Sequence, residues 1–155
     1  MLSSTTNTIV HDKEEIIKLI QKYIPEYDGT NNTASDLIGH TPLMIWIMYG
    51  KKFGKVIPYY LLHDNTIMGN SKQTALMYWI QYRIGEAIPE CLLHDRELKG
   101  IFGTTPQMFW IKYRKGEAIP EYLIHDSSIA DEAGRTSLMW WICRRKGEDI
   151  PEYLL

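Results

Sequence analysis

The chain has 155 residues, with 17 basic against 19 acidic side chains and a formal charge of −2, so no bulk attraction draws it toward nucleic acid. No apolar run approaches the roughly 18 residues needed to span a bilayer, and the polar stretch from Met1 to Val10 lacks the basic flank and apolar core of a signal peptide. Its two cysteines, Cys91 and Cys143, form neither a disulfide framework nor a metal-ligand cluster, which favours a reducing, cytoplasmic home and two buried, inert thiols.

Along the chain, Asp12-Lys13-Glu14-Glu15 reads as a capping box, with Asp12 as N-cap and Glu15 three residues on. Ile16, Ile17, Leu19, Ile20 and Tyr23 follow at helical spacing, and Lys13, Lys18 and Lys22 mark the wet side. Ile24-Pro25-Glu26-Tyr27 then begins a second helix, cut short by Asp28-Gly29 and a run of Thr and Asn. Residues 1–35 are therefore expected to form an N-terminal tail and capping helices with a polar outer face.

Beyond that point the chain repeats itself. Ile-Pro occurs at Pro25, Pro58, Pro89, Pro120 and Pro151, in steps of 33, 31, 31 and 31 residues. A period in this range marks stacked supersecondary units and an extended binding surface, where a single catalytic cleft is not expected. A second signature travels in phase with the first: Thr41 to Ile47, Thr74 to Ile80, Thr105 to Ile111 and Thr136 to Ile142, each ending in Trp-Ile. The threonine can cap a helix, and Pro42 and Pro106 suit its first turn. Leu, Met, Trp and Ile then cluster so densely that this helix must be buried on more than one side.

Gly85, Gly116 and Gly147 are placed to end that helix as left-handed caps or turn residues. Arg83, Arg114, Lys115, Arg144, Arg145 and Lys146 precede the turn, and Glu86, Glu117 and Glu148 follow it. Both groups oppose the end charges of helix dipoles, and Arg144-Arg145-Lys146, followed at once by Glu148-Asp149, reads as a solvated, charge-compensated turn. Ile-Pro then opens a second helix with proline at its first position, the Leu-Leu pair behind it facing the core. His63-Asp64, His94-Asp95 and His125-Asp126 close three units. The fold class expected is an all-α repeat solenoid of stacked helix-turn-helix units.

At Asp36-Leu37-Ile38-Gly39-His40-Thr41-Pro42-Leu43 the chain resembles the ankyrin repeat, whose units open on Asp-x-x-Gly-x-Thr-Pro-Leu. Asp131 to Leu138 repeats the pattern with Ser137 for proline, and Gly103 to Pro106 and Lys72 to Leu76 keep it more loosely. The resemblance covers residues 36–155 and divides them into units 36–68, 69–99, 100–130 and 131–155. Two departures stand out. Trp-Ile occupies the place of the usual Ala-Ala, which implies wider spacing or altered curvature. Thr-Pro-Leu-Met also loses the histidine that ties down the family's loop, a job the His-Asp pairs could take over. The chain stops where His-Asp would follow Leu155, so the last unit is either truncated or part of a longer array, and the second is preferred.

The resemblance implies a non-catalytic module that binds another protein by its concave groove and loop tips. Groove positions are the two residues after each Trp-Ile: Met48 and Tyr49, Gln81 and Tyr82, Lys112 and Tyr113, Cys143 and Arg144. Loop-tip positions are Leu37, Ile38 and His40, Ile101 and Phe102, and Glu132 and Arg135. Tyrosine and arginine carry much interface energy, so Tyr49, Tyr82, Tyr113 and Arg144 lead the set. The reading is of a monomer with no cofactor, no metal, no nucleic acid and no membrane partner. Two other classes stay open: a helical metal-dependent hydrolase using the His-Asp pairs, and a structural spacer within a longer protein. Against the first, a pair repeated once per unit spreads its ligands along a ladder, where a metal site needs them convergent. The Trp-Ile column reads as packing, with base stacking the lesser alternative.

Overall fold

The computed structural model describes residues 2–62 and 72–155, with side chains from residue 12 onward. Five α-helices occur there: α1 (Leu2–Gln21), α2 (Pro42–Tyr49), α3 (Ala75–Tyr82), α4 (Pro106–Tyr113) and α5 (Ser137–Arg144). Each helix packs on the next in chain order. No strand forms among the described residues, which hold a single isolated bridge between Ala130 and Thr136. No described helix is long and apolar enough to cross a membrane.

Helices α2 to α5 are each eight residues long, and the threonine starts every one. The hydroxyls of Thr41, Thr74, Thr105 and Thr136 accept the amide N–H of the methionine three residues on, at 3.4, 3.2, 3.2 and 3.5 Å. Each cap satisfies an amide that the first turn leaves open. Helices this short are marginal alone, so their stability comes from burial. In α2 and α3 six consecutive residues are buried, Trp46 and Trp79 completely. Burial on all sides is what the dense apolar run demanded.

Three expectations are corrected. Asp12 is no N-cap: α1 starts at Leu2 and carries Asp12 in its interior, so the expected tail is helical. Ile24 to Tyr27 forms turns, with Ile24 and Tyr27 buried. Among the described residues the second helix of each unit is also absent. Pro58, Pro89, Pro120 and Pro151 sit at ψ between 129 and 139°, outside any helix, and a 3₁₀ turn follows each of them. One turn suffices to drop Leu61, Leu92, Leu123 and Leu154 into the core, each burial contributing about 2 kcal/mol. The second residue of each pair stays only half-buried or exposed.

The fourth correction concerns charge. Arg83, Arg114 and Arg145 have fully buried side chains, although the stretch Arg144-Arg145-Lys146 was expected to be a solvated turn. Each stands four residues after its tryptophan and reaches back to the preceding unit. Arg83 Nε donates to the Ile47 carbonyl (2.9 Å), and its Nη atoms donate to Gly54 (2.9 Å) and Trp46 (3.3 Å). Arg114 does the same to Ile80, Glu86, Trp79 and Arg83, and Arg145 to Ile111, Glu117, Trp110 and Arg114. Glu86, Glu117 and Glu148 close the pairs at 3.3, 3.1 and 2.9 Å. The guanidinium of Arg83 lies against the rings of both Trp46 and Trp79, 4.4 and 4.9 Å from their centroids. Every unit junction is thus a helix C-terminus capped by an arginine 34 to 37 residues away. Unit 36–68 has Gly50 in this slot, and a Cβ there would stand 2.6 Å from the Trp46 carbonyl oxygen.

The turn that follows is Arg83-Ile84-Gly85-Glu86, closed by the Glu86 N–H on the Arg83 carbonyl, with Gly85 at φ +86°. Glycine at that position matches the turn geometry that needs positive φ.

Arg114→Ala should cost about 3 kcal/mol or more, since it removes a hydrogen bond from each of four carbonyls and leaves the Glu117 carboxylate without its cation at a buried junction. Arg114→Lys should recover less than half, because a point charge cannot reproduce the planar fork. Urea titration followed by tryptophan fluorescence reads both, and a loss below about 1 kcal/mol for the alanine variant would contradict the arrangement.

Candidate interaction surface

Tyr49, Tyr82, Tyr113 and Arg144 stand three residues after the tryptophans, one position before the arginine slot. Adjacent residues on a helix diverge by about 100°, so one column is buried while its neighbour faces out. Tyr49, Tyr82 and Arg144 are exposed, and Tyr113 is half-buried against the Phe109 ring at 5.5 Å. Tyr82 leans on Tyr78 at 6.2 Å, and the Arg144 guanidinium lies 5.6 Å from the Trp140 ring.

The strip has a member that sequence reasoning missed. Tyr23 at the end of α1 stacks flat on Tyr49, with centroids 4.6 Å apart and planes 3° from parallel. It was placed on the buried face of α1, yet it is exposed. Burial, then the neighbouring phenols of Tyr23 and Tyr82, push the Tyr49 pKa up. Met48, Gln81 and Lys112 are half-buried beside this strip, and Gln81 accepts a hydrogen bond from the Gln73 side chain at 2.9 Å. Cys143 and Cys91 are both exposed, which overturns the expectation of buried thiols.

At the loop tips Leu37 is 99 % exposed, and Ile38, Ile101 and Phe102 also face outward. Leu37 with Ile38, and Ile101 with Phe102, thus place two short apolar pairs at the tips. Phe102 is also strained: its φ of 58° lies in the left-handed region, which is unfavourable for a bulky residue. The strain is held by the Phe102 carbonyl, which accepts the Glu132 N–H of the next tip at 2.9 Å.

Buried or half-buried aspartates fix the tips. Asp36 accepts the N–H groups of Ile38 and His40 at 2.9 and 2.8 Å, and its other oxygen meets His40 Nδ1 at 2.8 Å. Asp131 accepts the N–H groups of Ala133 and Arg135, the Arg135 Nε–H at 2.8 Å and the Trp140 indole N–H at 3.1 Å. His40 and Arg135 are thus tied to the aspartates of their own loops, and Arg135 also covers the Trp140 ring at 4.6 Å. Glu132 is exposed beside them.

The His-Asp pairs do not act alike. His125 Nε2 lies 2.9 Å from the Thr105 hydroxyl that caps α4, and its Nδ1 lies 2.9 Å from the Asp126 carbonyl. His94 instead meets the Cys91 carbonyl at 2.9 Å and its own neighbour Asp95 at 3.1 Å, beside an open cavity of about 280 Å³. The Cys91 thiol there is pushed up by burial, the opposite of an activated nucleophile. His63-Asp64 lies outside the described residues. Among the described residues no group of three His, Cys, Asp or Glu could hold a metal ion.

Phe102→Gly should stabilise the fold by up to about 1 kcal/mol, because glycine removes the backbone strain while the lost side chain was in water. A melt showing destabilisation would place Phe102 in the core. For Asp36 and Asp131, burial works against ionisation, but the hydrogen bonds received outweigh it and hold both carboxyls below the usual range. Since the folded-state pKa lies below the unfolded one, their contribution is complete above about pH 4 and is lost as pH falls through the folded value. Asp131→Asn should therefore flatten the acid limb of a Tm-against-pH curve below about pH 4, at the cost of a lower plateau near neutrality. No protein-family model matches this chain, and no curated protein matches it either.

Proposed function

We propose that the chain is a divergent, ankyrin-like repeat array that acts as a non-catalytic protein-binding module. The observation that carries this reading is the outward column beside the buried arginines. Tyr23 in the turn after α1, Tyr49 on α2 and Tyr82 on α3 present aromatic rings, and Tyr113 and Arg144 continue the register on α4 and α5. Aromatic and arginine side chains at fixed helical positions supply large contact area at low entropic cost. The scaffold beneath them is locked by arginine caps, so a partner meets a preorganised surface. Leu37, Ile38, Ile101 and Phe102 extend the same module at its loop tips, where strain and exposed apolar area both favour a second contact zone.

The test is capture of partners from native lysate by the wild-type chain and by a Tyr49→Ala, Tyr82→Ala variant. Both positions are partly exposed, so the variant should melt close to wild type. Partner recovery should fall by about tenfold or more. Undiminished recovery with unchanged folding would remove the strip from the interface. A stoichiometric metal ion in the purified protein, lost with His94→Ala, would replace the binding reading with a hydrolytic one.

A further inference from the structure

The forward face of α5 differs from that of every earlier repeat helix. Met44, Met77 and Met108 are completely buried, whereas Met139 is 48 % exposed. Ile47, Ile80 and Ile111 are completely buried, whereas Ile142 is 55 % exposed. Ile57, Ile88 and Ile119 are buried, whereas Ile150 is 39 % exposed. The residue types are the same, so the face keeps the composition of an internal junction while standing open.

The polar half of the junction is equally complete. At each internal junction the guanidinium docks on carbonyls at fixed places: the tryptophan, the following isoleucine, and the residue seven or eight beyond the tryptophan. From α3 onward the arginine's own carbonyl joins them. The counterparts on α5 are Trp141, Ile142, Glu148 and Arg145. Trp141 and Arg145 carbonyls already accept the N–H groups of Arg145 and Glu148, as their counterparts do while also receiving an arginine. A carbonyl oxygen has a second lone pair for that purpose. No guanidinium donates to these four among the described residues.

We propose that this open end is a docking site for an arginine-bearing helical unit of the chain's own kind. Its guanidinium enters the cradle of Trp141, Ile142, Arg145 and Glu148 carbonyls, while its apolar face covers Met139 and Ile142. Chemistry selects this occupant over a second copy of the chain. In a second copy Arg83, Arg114 and Arg145 are already engaged, and its unit 36–68 offers Gly50 where an arginine is required. A two-fold pairing of α5 faces would bring carbonyls against carbonyls. The inference stands on the junction geometry and is independent of the tyrosine strip.

The test appends a copy of residues 125–155 directly after Leu155 of the full chain, in the register of the 31-residue step. Expected is a rise in Tm of about 5 °C or more with a steeper urea transition, as one more junction joins the cooperative unit. Replacing the appended copy's arginine, equivalent to Arg145, by alanine should abolish the gain, and by lysine should restore less than half. Ile142→Glu should leave the unextended chain's melt unchanged and remove the gain in the extended one. An extension that adds helix signal but no Tm, or a gain indifferent to the arginine, overturns the proposal. So does sedimentation of the unextended chain as a dimer that Ile142→Glu dissociates, since that assigns the face to a second copy.

Discussion

A guanidinium ion buried between repeats is the constraint on which the rest of the fold depends. Arginine stays charged in a protein interior, so its buried donors need acceptors: Arg83 makes four hydrogen bonds and Arg114 five. Burial does pull the pKa of Arg83 and Arg114 down, with Glu86 and Glu117 opposing the shift. Short helices supply the missing acceptors, because the last carbonyls of any helix are unsatisfied. Donor excess and acceptor excess therefore cancel across each junction, and the tryptophan rings exclude water from the exchange. The arrangement joins neighbouring repeats through polar contacts that apolar packing alone would leave unspecified in register.

This division of labour frees the adjacent column. A side chain three residues after the tryptophan contributes little to the junction, so it can be tyrosine three times and arginine once without disturbing the stack. The loop tips are free for a related reason. Asp36 and Asp131 organise the backbone from within, leaving Leu37, Ile38 and Glu132 to face water. Exposed column and buried scaffold are thus interleaved residue by residue, not assigned to separate parts of the chain.

Much of this was legible in the residue pattern. The repeat register, the threonine caps, the glycine turns and the burial of the four Trp-Ile tryptophans with Ile47, Ile80 and Ile111 all follow from local rules on helix ends, positive φ and apolar density. The resemblance to a two-helix repeat misled at the second helix. Proline after isoleucine is compatible with both a helix start and an extended link, and the observed ψ near 130° chooses the link. Tyr23 was misplaced because apolar spacing on α1 fixes a face, while the stacking partner that keeps the ring at the surface belongs to α2.

Arg144 and Arg145 mark the boundary between the two kinds of information. They are neighbours of the same type at a helix end, and sequence alone determined that both follow the tryptophan and precede a glycine turn. Only the tertiary structure decided that one is exposed over Trp140 and the other sealed inside the protein. The acceptors that hold Arg145 lie 28 to 35 residues away, on the preceding unit. No local rule counts the free carbonyls of a distant helix end, and that count is what makes burying a charge affordable here.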